Sequence, residues 1–313
     1  MDNQRTAVID LGTNTWHLLI VRVVNHQIEV LHKEKMAVGI GRGGISKGFI
    51  TEEAQKRGFE AIGYFKRVIN DLKVDNIYAT ATSAMRNAKN GQEIADEILD
   101  RFGIKVEIID GDKEAEYIYH GVKSALYIGD DRSLILDIGG GSVEFIICNE
   151  DNIFWKQSFE IGGQRLVDMF QSSDPMSESN INELRNYLDI MLAPLIDACE
   201  KYHPVVLIGA SGSFDTLNDI SCEKFPLKYN KIKADLWLDL DDFEEIYRGL
   251  IGKSREERLQ IPGMIPLRVD MIVVAVVLIK YVLNTLELGK IRISPASLKE
   301  GLLQEVLVKE ESK

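Results

Sequence analysis

The sequence predicts an α/β protein built from two similar halves, and three observations carry that prediction. Strand patterns and helix patterns alternate along the chain. Their order starts over near Ser133. A stretch of 11 residues near the N-terminus also matches a second one, without a gap, 127 positions later.

In the first half, residues 6–9 and 16–24 are short apolar runs, and residues 27–31 and 34–38 read as two further strands. Residues 51–72 have helical periodicity. A strand at 77–79, a helix at 84–102, a strand at 105–109 and a helix at 112–127 follow. The second half opens on the apolar strand 134–136. A later strand, 205–208, ends in the small-residue cluster Gly209, Ala210, Ser211, Gly212 and Ser213. Residues 271–279 are apolar throughout. A bilayer span needs roughly 20 such residues, so this run predicts a buried helix. Gly43 and Gly44 and residues 172–179 read as surface loops, and residues 255–266 as a break before that helix.

The self-match sets Asp10-Leu11-Gly12-Thr13-Asn14-Thr15-Trp16-His17 against Asp137-Ile138-Gly139-Gly140-Gly141-Ser142-Val143-Glu144. In each copy a strand ends in Asp, a glycine-containing turn with a hydroxyl residue follows, and a second strand leaves. Val38-Gly39 and Ile161-Gly162 then recur in the two copies. Two such halves imply a duplicated domain, with a cleft where the two turns face each other.

Composition bounds the function. Of 313 residues, 45% are hydrophobic and 27% charged, which excludes wholesale disorder. The net charge of −12 speaks against a nucleic-acid or anionic-membrane coat as the main partner. A small anion remains open, held by backbone amides, one or two cations and a metal ion. Cys148, Cys199 and Cys222 are odd in number and far apart, with no C-x-x-C pair, so neither a disulfide framework nor a structural zinc site is supported. That usage, and an N-terminus without a basic-then-apolar leader, fits a reducing, cytoplasmic location.

The candidate chemistry sits at strand ends. Gly12, Thr13, Asn14 and Thr15 place amides and hydroxyls in one concavity, a nest for phosphate oxygens; the same residues also suit a plain hairpin turn. Gly139, Gly140 and Gly141, with Ser142, exceed what a hairpin needs and admit a ligand close to the backbone. Asp137, ending its strand, is placed to hold a hydrated Mg²⁺ against phosphates. Ser211 and Gly212 could cradle a phosphate tail, or could serve only tight strand-to-helix packing. Arg86 can grip a phosphate, or pair with a helix carboxylate. Glu114, in the first turn of a helix, could act as a general base on water, or be the acid that first turns favour. Glu144 shares a strand face with Ser142, where the first copy has His17. His26, His32, His120 and His203 form no ligand pair.

These pieces, with Arg268-Val269-Asp270 and the run from Ile293 to Gly301, resemble in order the exopolyphosphatase/guanosine pentaphosphate phosphatase (Ppx/GppA) family of the actin, sugar-kinase and heat-shock-chaperone superfamily. The resemblance implies two ribonuclease-H-like lobes, residues 1–124 and 125–297, with a C-terminal helix at about 298–313 returning to the first. It implies Glu114 as the base for water, Asp137 and Asp10 as Mg²⁺ ligands, and Glu144 as a second carboxylate. Both turns, with Arg86, Ser211 and Gly212, would hold phosphates. The reaction would release terminal phosphate from polyphosphate or guanosine pentaphosphate, and the chain would pair as a homodimer. Long members carry an HD-type helical domain after the second lobe; this sequence resembles the short form. Two substitutions depart from the family pattern: Trp16-His17 replaces the usual Phe and His or Arg, and Lys299 replaces an Arg. The rival expectations are a nucleotide- or alarmone-binding regulator of the same fold, and a kinase of the same superfamily.

Overall fold

The computed structural model describes residues 4–24, 27–229 and 236–311; His26 lies outside them. The chain divides into two compact units, Met1–Gly121 with Leu298–Lys313, and Val122–Ser297.

The first unit runs β1 (Arg5–Leu11), β2 (Trp16–Val24), β3 (Gln27–Met36), α1 (Glu52–Asp71), β4 (Asn76–Ala81), α2 (Ser83–Asn87), α3 (Gly91–Phe102), β5 (Val106–Ile108) and α4 (Gly111–Ala125). Its sheet order is β3-β2-β1-β4-β5. The hairpins on one side are antiparallel, whereas β4 and β5 join β1 in parallel through helical crossovers. Thr51 caps α1 by accepting from the Ala54 amide, and the helix buries Ala54, Gly58, Ala61, Ile62, Phe65 and Ile69. Gly58 makes room for the fully buried Trp16: a Cβ there would stand 2.8 Å from the indole.

Two sequence expectations change here. Residues 27–36 form one strand, not two. Opposite the step from Ile20 to Val21 the partner jumps from His32 to Val30, and this bulge breaks the alternation that suggested a gap. The helix expected over 84–102 is split between α2 and α3. The buried Asn90 amide takes both the N–H and the C=O of Ile50, at 3.0 and 2.9 Å. Gly91 lies so close to the Met85 carbonyl that a Cβ would stand 1.9 Å from it. A continuous helix could satisfy neither contact.

The second unit runs β6 (Ser133–Ile138), β7 (Val143–Cys148), β8 (Ile153–Phe159), α5 (Gly163–Phe170), α6 (Glu178–Met191), α7 (Ala193–Tyr202), β9 (Val206–Ala210), α8 (Ser211–Lys224), β10 (Leu236–Leu238), α9 (Leu240–Ile251), α10 (Arg255–Leu259), α11 (Met271–Thr285) and β11 (Ile291–Ile293). Its sheet order, β10-β11-β9-β6-β7-β8, contains the series β8-β7-β6-β9-β11, which repeats the first sheet. The strand bulge recurs too, between Ile147 and Cys148, 127 positions after Ile20 and Val21. β6 and β7 are buried along their whole length, and α11 is apolar on nearly every side, so it lies inside the second core. The stretch before α11 is more than a loop. α10 opens on a capping box between Ser254 and Glu257, and the buried Arg258 donates to the Val269 carbonyl and pairs with Asp174 at 2.8 Å. All three cysteines are free and buried. Among the described residues no helix is long and apolar enough to cross a membrane.

The last helix, α12 (Leu298–Glu311), counts with the first unit. Glu305 pairs with Lys113 at 2.6 Å and accepts from the Tyr117 hydroxyl at 3.4 Å, which clasps α12 to α4. Burial and the Glu305 charge push the Tyr117 hydroxyl far above its ordinary pKa. Gly301 is the point of closest approach, where a Cβ would stand 1.7 Å from the Tyr117 carbonyl oxygen. Gly301→Ala should therefore cost about 1–3 kcal/mol of stability, the usual penalty of overpacking. Gly289→Ala, with nothing within 4 Å of the added carbon, should leave the urea midpoint within error of wild type.

Candidate active site

Each unit places its chemistry at the same point, the turn between its first two strands. In the first unit β1 ends at Leu11, and Gly12, Thr13, Asn14 and Thr15 turn the chain into β2. The Gly12 amide donates to the Thr15 carbonyl at 3.1 Å, and the Trp16 indole N–H donates to the Gly12 carbonyl at 3.1 Å. A Phe at position 16 could not make the second bond. The loop after β3 then folds back: Gly39 and Gly41 donate to the Asn14 and Thr13 carbonyls at 2.9 and 3.1 Å.

The second unit repeats the fold-back. The carbonyls of Gly139, Gly140 and Gly141 accept from Gly163, Gln164 and Gly162 at 2.8–3.1 Å. A Cβ on Gly12 or on Gly139 would stand 2.9 Å from the carbonyl three residues on, so both positions favour glycine. Among the described residues, no protein acceptor takes the amides of Thr13, Gly140, Gly141 or Ser142. With the carbonyls consumed and the amides left over, both turns are built to receive anions.

The carboxylates flank these turns. Asp10 pairs in register with His17 across β1 and β2, and with Thr80 on β4. Thr80 keeps a buried hydroxyl that has no hydrogen-bond partner. Asp137 pairs in register with Glu144 across β6 and β7, so the two acids share one face of the sheet. Glu144 is 1% exposed and accepts from the Ser158 hydroxyl at 2.7 Å, so it is a buried, positioned acid and not a surface strand residue. Asp137 is 6% exposed and accepts from the hydroxyls of Ser297 and Ser211. Burial pushes its carboxyl above the ordinary value. The two hydroxyls and Arg268 oppose that shift, while Asp215 adds to it.

In the first unit, Glu114 in the first turn of α4 and Arg86 on α2 form an ion pair at 2.7 Å. Glu114 is 5% exposed. Arg86 also donates to the Ile109 carbonyl at 3.1 Å, so the strand end before α4 fixes the guanidinium that holds the carboxylate. Both readings of Arg86 thus concern one side chain, and pairing with a carboxylate is the state seen here.

Ser211 and Gly212 open α8. Ser211 bonds Asp137, while Gly212 lies under Arg268, whose guanidinium would stand 1.7 Å from an added Cβ. Sequence reasoning assigned no role to Ser297, Arg268 or Asp215. Ser297 closes the small-residue run Ser294-Pro295-Ala296-Ser297 after β11, the same signal at a strand end that picked out Ser211. Arg268 is buried with its Nε unpartnered, a property no sequence pattern reveals.

Mg²⁺ typically takes one or two carboxylates and fills its octahedron with water and substrate phosphates. The residues present fit that demand. Asp137 and Glu144 share a face, Asp10 stands beside the orphaned Thr80 hydroxyl, and no group of three or more His, Cys, Asp or Glu forms an all-protein cage among the described residues.

Because the fold raises the pKa of Asp137, it disfavours that ionised carboxylate. The cost is absent below the unfolded value near 4 and fully present above the raised folded value. Asp137→Asn should therefore raise the melting temperature at pH 7 in chelator-containing buffer, with the gain vanishing as the pH falls below about 4. Thermal unfolding across that range measures it.

The comparisons with known proteins agree with this geometry. A solved exopolyphosphatase from Cytophaga hutchinsonii ATCC 33406 is 47% identical, covers 98% of both chains and superposes with a TM-score of 0.94. The Aquifex aeolicus member of the Ppx/GppA family, at 22% identity and 98% coverage of both chains, shares the fold with a TM-score of 0.81. A guanosine-5'-triphosphate,3'-diphosphate pyrophosphatase of Photobacterium profundum is 26% identical over 303 residues. That match takes in 97% of this chain, which spans 59% of the length of that relative. The Ppx/GppA phosphatase family profile matches residues 19–310, and with the paired glycine turns in place the chain belongs to that family.

Proposed function

We propose that this protein is a phosphoanhydride hydrolase that releases the terminal phosphate of inorganic polyphosphate or guanosine pentaphosphate by attack of water. The observation that carries the reading is the Arg86–Glu114 pair, a buried base held in a fixed orientation by a cation that also suits phosphate. The names of the Cytophaga and Photobacterium relatives support the two substrate classes.

In this mechanism the Thr13 turn amide of the first unit binds non-bridging phosphate oxygens, and the turn amides of Gly140, Gly141 and Ser142 are the matching donors of the second unit. Gly12, Asn14, Thr15 and Gly139 shape those turns. Glu114 takes a proton from water as the water oxygen bonds to phosphorus. The bridging P–O bond breaks, and its electron pair leaves with the shortened chain. Arg86 orients Glu114 and neutralises charge on the phosphate. Asp137 would hold Mg²⁺ in the second unit, where Asp10 is the matching acid of the first; when bound, the ion supplies charge neutralisation to phosphate oxygens. Glu144 serves as the second acid beside Asp137, and Ser211 orients Asp137 at the start of α8. The three buried thiols support a cytoplasmic setting. Pairing into a homodimer rests on the family resemblance.

Incubation with polyphosphate, guanosine pentaphosphate and ATP, each with Mg²⁺, followed by assay of free phosphate, tests the reading. Binding without release would instead mark a regulator, and transfer from ATP to an added acceptor would mark a kinase. Glu114→Gln, which keeps an acceptor for Arg86, should lower phosphate release by about 10²-fold or more with an unchanged circular dichroism spectrum. Asp137→Asn should move the Mg²⁺ titration to higher concentration; an unaltered titration would remove Asp137 from the metal site.

A further inference from the structure

Two stretches of the first unit are free of acids and carry exposed cations. Residues 35–51 and 76–92 contain no Asp or Glu, although these 34 positions would hold about five at the chain's average of 49 in 313. The fold brings the two stretches together beside the first turn. Gly41 donates to the Thr13 carbonyl at 3.1 Å, and a short 3₁₀ turn, Ile45–Lys47, follows. Lys89 then donates its amide to the Gly48 carbonyl at 2.9 Å, one residue before Asn90 takes both polar groups of Ile50. Residues 41–50 therefore bridge the phosphate turn to the segment that follows Arg86.

Arg42, Lys47 and Lys89 stand on this bridge. All three are exposed, and none has a side-chain ion pair or hydrogen bond among the described residues. Elsewhere in the same unit the exposed Arg101 is taken by Glu97, and the exposed Arg67 lies over the Tyr64 ring. In a chain of net charge −12, three adjacent cations left without acids are placed for an outside anion. Their number and their spread away from the turn suit a substrate with many charges in a row, not a single terminal phosphate.

We propose that Arg42, Lys47 and Lys89 form a cationic rim that grips the distal phosphates of a long linear polyphosphate while its end occupies the first turn. This deepens, and rests on, the hydrolase reading above. The rim gives the site a preference by length, because a short substrate cannot reach it. Exposed charge contacts are individually weak and screened by salt, so the grip comes from their sum.

The test compares wild type with the Arg42→Ala, Lys47→Ala, Lys89→Ala triple variant on tripolyphosphate and on polyphosphate of several hundred units. The triple variant should raise KM for the long chain about tenfold, flatten its dependence on salt, and leave kcat and the tripolyphosphate KM within about twofold of wild type. An equal rise on both substrates, or no rise on either, overturns the rim. If wild type hydrolyses neither substrate, the hydrolase reading fails instead. Fluorescence anisotropy with end-labelled long polyphosphate then decides the rim separately: equal affinity of wild type and variant overturns it, and a salt-sensitive loss in the variant upholds it.

Discussion

Everything at the two turns follows from where their carbonyl oxygens go. In each unit the loop after the third strand returns and donates its amides to the carbonyls of the turn between the first two strands. A turn bonded in this way keeps its own amides for something outside the protein. That arrangement brings two backbones so near that a Cβ cannot fit. A side chain on Gly162 would stand 2.3–2.5 Å from the backbone of Gly140 and Gly141, so glycine recurs on both sides of the contact. Unbonded turn amides and glycine content are thus two results of one packing demand.

The acids obey a second demand, that a buried charge be held by donors. Glu114 has Arg86, Glu144 has the Ser158 hydroxyl, and Asp137 has the hydroxyls of Ser297 and Ser211. The partners differ in kind. A guanidinium fixes Glu114 with full charge, whereas burial of Asp137 outweighs the hydroxyls that bond it, and its carboxyl stays above the ordinary value. A carboxylate kept dissatisfied in this way is suited to an external cation, and the cost it carries is one that folding stability bears.

The duplication also shows where two copies of one fold have diverged. Strand order, bulge and turn are the same in both units. The side chains on that frame are not. Glu144 stands where the first copy has His17. The first unit adds Glu114 from α4, and the second adds hydroxyls from α8 and from the residues before α12. Gly12 and Gly139, the glycines whose added Cβ would meet the carbonyl three residues on, are kept in both copies, whereas Trp16, whose indole bonds the first turn, is Val143 in the second.

The sequence by itself determined the repeat, the strand–turn–strand motif and the acids that flank it. Those rest on spacing along one chain, and an offset of 127 between Asp10 and Asp137 is visible without coordinates. It also showed small residues at strand ends, which led to Ser211 but not to Ser297, although the run before Ser297 has the same character. Tertiary structure alone decided which groups meet. Glu114 and Arg86 are 28 residues apart and Asp137 and Ser297 are 160 apart; no local period encodes such contacts. The break at Asn90 and the continuity of β3 were likewise hidden, since one depends on the distant backbone of Ile50 and the other on a bulge that shifts the alternation by one residue. Local pattern fixes what an element is, while long-range hydrogen bonding fixes where its side chains do chemistry.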